Sequence, residues 1–219
     1  MDESRQKIRF EIEGLWSAEE MGRFFLFLSE LYNLRLFLEL LREEARDLDR
    51  FYELIGPGPF DYRRGRRLTR RGLYPWAFGL AAGLPPIWNE AQIGSLSALI
   101  EPEERLDVRR ISYASPGSVD LIGIGAIVGH VKDFTLKLID RQDSKQQRKL
   151  SEERAELEND RVRIENARSF VALARDLGYT DSELRQLVAR VDEKQETLVR
   201  FIEQQKLRTV SILDATDKD

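Results

Sequence analysis

The stretch YRRGRRLTRRGLYPW, residues 62–76, gathers the residue types best suited to holding an anion. Arg63, Arg64, Arg66, Arg67, Arg70 and Arg71 follow one another closely, with Asp61 the only acid nearby. Guanidinium forks match phosphate oxygens, and Tyr62, Tyr74 and Trp76 offer rings on which bases can stack. Together they predict a site for nucleic acid or another anionic surface. The competing reading is a solvated loop, or one paired with the chain's own acids such as Glu152, Glu153 and Glu156.

A second pattern is Gly123, Gly125 and Gly129, a GxGxxxG after an apolar run and before a helical one. Glycines at a strand-to-helix junction can bring backbone amides up to a diphosphate. Asp140 or Asp143 even lies where a ribose-binding acid would be expected. That acid should close a second parallel strand, however, and here it falls in charged helical sequence. The glycines therefore read as close packing, and no cofactor is expected.

Catalytic patterns are sparse. The chain has no cysteine and one histidine, His130. Thiolate chemistry, disulfides, Cys-bound zinc and multi-His metal sites are thereby excluded. His130 sits among Val128, Val131 and Phe134 and reads as a packed or surface histidine rather than a base. Ser115, Ser118 and Asp120 are local to it, but a triad needs a nucleophile held against its base. The carboxylates are scattered along charged helices. No catalytic or metal site is expected, and the chain reads as a non-enzyme.

The elements that must position these residues are legible in part. KIRFEIEG alternates, with Ile8, Phe10 and Ile12 on one face, and predicts a half-buried strand over Lys7–Glu13. Ser17 and Glu20 form a capping-box pattern, so a helix begins at Ala18 with Met21, Phe24, Phe25, Leu28, Leu31 and Tyr32 on its apolar face. Beyond Asn33 the pattern admits two readings. Leu34, Leu36, Leu38 and Leu40 alternate like a strand, whereas Leu, Glu and Arg favour a helix continuing to about residue 54. A strand near 34–41 is the preferred expectation. Gly, Pro and Arg then predict an insertion over 56–88. Asp107–Tyr113 and Ser118–Ile122 read as a hairpin about the SPGS turn.

From about residue 126 the chain reads as helix. Leu150, Leu157, Ile164 and Val171 recur at sevens and predict a thin seam. Gly178 and the capping-box pair Thr180 and Glu183 mark a reversal. Leu184, Leu187, Val191, Leu198 and Ile202 continue the seam on the returning helix.

The expected fold is α+β. A small, mostly antiparallel sheet with a covering helix occupies 1–125. A long antiparallel, coiled-coil-like helical hairpin occupies 126–207, and 208–219 is a tail or a last strand. Net charge is −4 across 219 residues, so any polyanion binding must be local. No apolar run is long enough to cross a membrane, and MDESRQKIRF lacks the pattern of a signal peptide. The functional expectation is a cytoplasmic interaction or scaffold protein that binds a protein partner, or another copy of itself, through the helical seam. The alternative is nucleic-acid or anionic-surface binding through 62–76.

Overall fold

The structure, a computed structural model, describes residues 4–55, 100–113, 116–147 and 152–213, with side chains described in all of these except 44–45, 47–55, 143–147 and 152–163. Strand β1 spans Arg5–Ile12 and turns Ile8, Phe10 and Ile12 into the core. Gly14 follows with φ of 73°, a left-handed conformation that glycine adopts without the Cβ penalty. The chain then reverses, and the capping box closes as expected. Glu20 N–H donates to Ser17 Oγ at 3.1 Å and Ser17 N–H to Glu20 Oε2 at 2.8 Å.

Helix α1 starts there and runs without a break over Ala18–Ile55. The strand expected near 34–41 is part of this helix. The reason is burial: all residues from Leu31 to Glu39 are buried, and Leu41 as well. A helix enclosed on every side needs apolar residues on every side, so its 3.6-residue periodicity disappears. Leucines at 34, 36 and 38 then imitate a strand, although Leu is a strong helix former and none of these residues is β-branched.

After a short 3₁₀ turn over Pro102–Glu104, β2 (Asp107–Ser112) and β3 (Gly117–Ile124) pair antiparallel as the expected hairpin. The next helix, α2, spans Gly125–Gln147 and follows β3 directly. Helices α3 (Glu152–Asp176) and α4 (Asp181–Glu203) come next, so three helices are described where a two-helix hairpin is expected. Gly178, at φ of 90°, turns the chain between α3 and α4, and Thr180 and Glu183 form the capping box that starts α4.

The open choice between tail and strand resolves as strand β4, Leu207–Leu213, paired antiparallel with β1. The sheet order is β2-β3-β1-β4, every neighbouring pair antiparallel. Two split β-α-β units are thus interleaved, the strand order of ferredoxin-like sheets. The fold is α+β. One apolar core runs from the sheet through all four helices. Phe10, Phe24, Trp16 and Phe201 tie β1, α1 and α4 together, with ring centroids 4.8 to 6.1 Å apart. Among the described residues no helix is long and apolar enough to cross a membrane.

Candidate functional site

Charge inside a leucine-rich helix must be held by something. In α1 the sequence LYNLRLFLELL places Arg35 and Glu39 one turn apart with apolar neighbours on all sides. Their side chains are 7% and 8% exposed, and Arg35 Nη2 donates to Glu39 Oε1 at 2.7 Å. Glu39 Oε2 takes a second guanidinium, that of Arg42, at 2.6 Å. One carboxylate thus serves two cations, and the cluster retains a net positive charge.

Arg35 spends its remaining contacts on the two neighbouring helices. Nη2 also lies 2.7 Å from His130 Nε2 on α2, and Nη1 donates to the Ser169 carbonyl on α3 at 3.3 Å. Its Cζ stands 5.9 Å from the centre of the Phe170 ring, within cation–π range. Arg35 Nε is buried without a hydrogen-bond partner. Burial lowers the pKa of Arg35 from its ordinary value, and Glu39 opposes that shift.

A guanidinium only donates, so His130 Nε2 must accept, and the ring proton sits on Nδ1. Burial, then the charge of Arg35, pulls the pKa of His130 below its ordinary 6.5, against the opposing pull of Glu39 and Asp133. His130 as a residue is exposed, yet its Nε2 edge is turned onto Arg35 rather than to water. That edge, not the exposed one, decides the direction of the shift. The imidazole is neutral at pH 7 and presents Nδ1–H as a donor.

Arg35, His130, Ser169 and Phe170, but not Glu39 or Arg42, line a cleft of about 410 Å³ between α1, α2 and α3. That is within the size range of small-molecule sites. Leu31, Val131, Phe134, Leu136 and Phe170 give it apolar walls. Asp133, Asp140 and Glu165 stand around it with Lys137, whose Nζ bonds Glu165 Oε1 at 2.9 Å. Behind the cleft Asn166 Nδ2 donates to Gln195 Oε1 at 3.2 Å, both side chains buried. This pair ties α3 to α4, since any sliding breaks a hydrogen bond between two buried amides.

The residues singled out in the sequence lie elsewhere. The arginine cluster, with Tyr62, Tyr74 and Trp76, falls outside the described residues, as does Leu150. The side chain of Leu157 is likewise not described. Leu184, Leu187, Val191, Leu198 and Ile202 are buried against the chain itself. Ile164 is 53% exposed and Val171 half-buried. The inward row of α3 is instead Ala167, Phe170, Ala174 and Leu177. The glycines do separate work. A Cβ on Gly123 would stand 2.8 Å from the Tyr32 ring, and one on Gly125 the same distance from Gln6, while around Gly129 nothing lies within 4 Å. Gly125 N–H donates to the Ser4 carbonyl at 2.8 Å. That amide is therefore already used and does not face a ligand.

Comparison with protein-family models, with curated proteins and with solved structures finds no match. The cleft is therefore read from its own chemistry. Sequence reasoning missed Arg35 and Glu39, though the signal was present: an i, i+4 pair of opposite charge inside an otherwise apolar run.

The single histidine makes this site directly measurable. Its imidazole resonance is expected to titrate below the ordinary histidine value. Around it stand Arg35, Glu39 and Arg42 from α1, Asp133 from α2 and Glu165 from α3. The unfolded chain takes up its proton near pH 6.5, whereas the folded chain resists until lower pH. Stability is therefore full above about pH 6.5 and falls as pH drops below it. A urea series at pH 7.5 and pH 5, on the wild type and His130→Gln, measures the difference. Equal acid losses in both would show that His130 is not the group responsible.

Proposed function

We propose that the chain is a non-enzymatic adaptor that takes up a small monocarboxylate with an apolar body in the α1–α2–α3 cleft. The observation that carries this reading is the buried Arg35, shared between Glu39 and the Nε2 of a neutral His130, which leaves the Nδ1–H of that ring as its donor. An anion gains from the residual charge of the Arg35–Glu39–Arg42 cluster and accepts from Nδ1–H, while Lys137 at the rim offsets its ion-pair partner Glu165. Leu31, Phe134 and Phe170 cover its apolar part. Asp133, Asp140 and Glu165 repel a second negative charge, so dianions are disfavoured. The same contacts favour a non-catalytic role. The basic edge of His130 is taken up by Arg35 and cannot accept a proton without losing that bond.

3-Phenylpropionate is a suitable probe, and 3-phenylpropanamide is its neutral counterpart. The acid is expected to move the His130 resonance and to raise the melting temperature, while the amide does neither. His130→Gln, which keeps a polar side chain, is expected to weaken binding about tenfold. Equal responses to acid and amide, or none to either, overturn the reading.

A further inference from the structure

The sheet has two outer strands, and they differ in how they meet an approaching strand. Exposed strand edges recruit other strands, and proteins blunt them with charges, bulges and proline. Strand β2 is blunted in this way. It carries Asp107, Arg109 and Arg110, its pairing with β3 slips between Val108 and Arg110, and every side chain but Ser112 is exposed. Strand β4 is not. Its pairing with β1 slips only near its start, between Glu11 and Ile12, where Thr209 and Leu207 are the partners. Arg208, the residue skipped there, is its single charge and is held by Glu13. Thr209–Leu213, TVSIL, then runs in regular register against Lys7–Glu11 without a charge or a proline.

We propose that two copies of the chain join through this edge, with Thr209–Leu213 pairing antiparallel with itself about Ser211. The segment is self-complementary in that register. Val210 falls opposite Ile212 of the second copy on the helix-covered side of the sheet. Thr209 falls opposite Leu213, and Ser211 meets its own counterpart, on the other side. Cross-strand pairs of β-branched residues stabilise a sheet, and no like charges face each other. The contact is isologous, closes on itself, and makes one eight-stranded sheet from two four-stranded ones. A second copy is the favoured occupant because the order Val-Ser-Ile reads the same apolar–polar–apolar way in both directions about its centre. The inference stands apart from carboxylate binding, since the cleft lies between helices and not at the sheet edge.

Sedimentation velocity on the full chain, from low to high micromolar concentration, tests it. The wild type is expected to pass from monomer to dimer. Ser211→Lys places two ammonium groups at the two-fold axis and is expected to weaken association by about a hundredfold or more. Ser112→Lys on β2 is expected to leave the dimer unchanged. A wild type that stays monomeric, or a Ser211→Lys variant that dimerises as well as the wild type, overturns the proposal. Amide hydrogen exchange on the unmodified chain is a second readout that does not depend on the variant folding. Protection in β4 but not β2 is expected to rise with concentration, and concentration-independent β4 protection counts against the dimer.

Discussion

Replacing Glu39 by alanine is expected to remove about 3–5 kcal/mol of unfolding free energy, the usual effect of taking one partner from a buried ion pair. Both carboxylate oxygens are engaged, Oε1 by Arg35 and Oε2 by Arg42. The two cations left behind are not equivalent. Arg42 is 35% exposed and can turn to water, whereas Arg35 at 7% cannot. The penalty therefore falls mainly on Arg35, whose charge would keep only neutral partners: His130 Nε2, the Ser169 carbonyl and the Phe170 ring. Glu39→Gln keeps the shape and one acceptor, so it should fall between wild type and Glu39→Ala. The double substitution Arg35→Met, Glu39→Leu removes both charges and fills the space, and such replacements are often neutral or stabilising. It should recover most of the loss in a urea denaturation series. It should also fail to bind 3-phenylpropionate, which separates the cluster's part in stability from its part in recognition. A Glu39→Ala loss of under about 1 kcal/mol would place the pair among exposed ion pairs and contradict the burial of Arg35 on which the carboxylate reading rests.

The amphipathic elements of this chain were legible in its sequence, and the enclosed ones were not. Strand β1 has one wet face, so Ile8, Phe10 and Ile12 alternate visibly with charged residues. The starts of α1 and α4 were legible because a capping box is a local device that needs only Ser17 with Glu20, or Thr180 with Glu183. The middle of α1 was illegible because neighbours cover it all round, which removes the periodicity by which helices are recognised. The seam on α3 failed for a related reason. A row at sevens states that apolar residues recur, not which face the neighbouring helices occupy. Ile164 belongs to that row and points outward, while Ala167 and Phe170, three residues apart, point in. Sheet order was beyond local sequence altogether. That β4 lies beside β1 depends on contacts spanning almost the whole chain, such as Phe10 with Val210. The candidate site is hidden in the same way. Arg35, His130 and Ser169 are far apart in sequence, and each alone reads as an ordinary residue of its helix.

The second large effect is expected at Tyr32, where α1 meets the junction of β3 and α2. The residue is fully buried. Its hydroxyl donates to the Glu104 carbonyl at 2.7 Å and accepts from Ile124 N–H at 2.8 Å. Its ring lies so close to Gly123 that a Cβ there would stand 2.8 Å from Cε2. Strand β3 passes into α2 with no intervening loop, so the Tyr32 hydroxyl serves the last amide of the strand at the point where regular pairing ends. Tyr32→Phe fits the same space but takes the acceptor from that N–H and a donor from the Glu104 carbonyl, at an expected cost of about 2–4 kcal/mol. Burial also raises the hydroxyl's pKa from 10.0 to about 12. The folded state therefore favours the neutral phenol. The unfolded chain releases its proton near pH 10, so the stability from this group is full below pH 10 and is lost as pH rises from 10 to about 12. Over that span the loss is on the order of 3 kcal/mol. Every other titratable group is the same in both proteins. The informative quantity is thus the gap between wild type and Tyr32→Phe in urea, measured at pH 9 and again at pH 11.5. It should narrow on going to the higher pH, because the wild type alone carries the proton that folding retains. A gap that stays constant would mean that the Tyr32 hydroxyl ionises as easily in the folded protein as in water, and that the contacts at the β3–α2 junction do not hold it neutral.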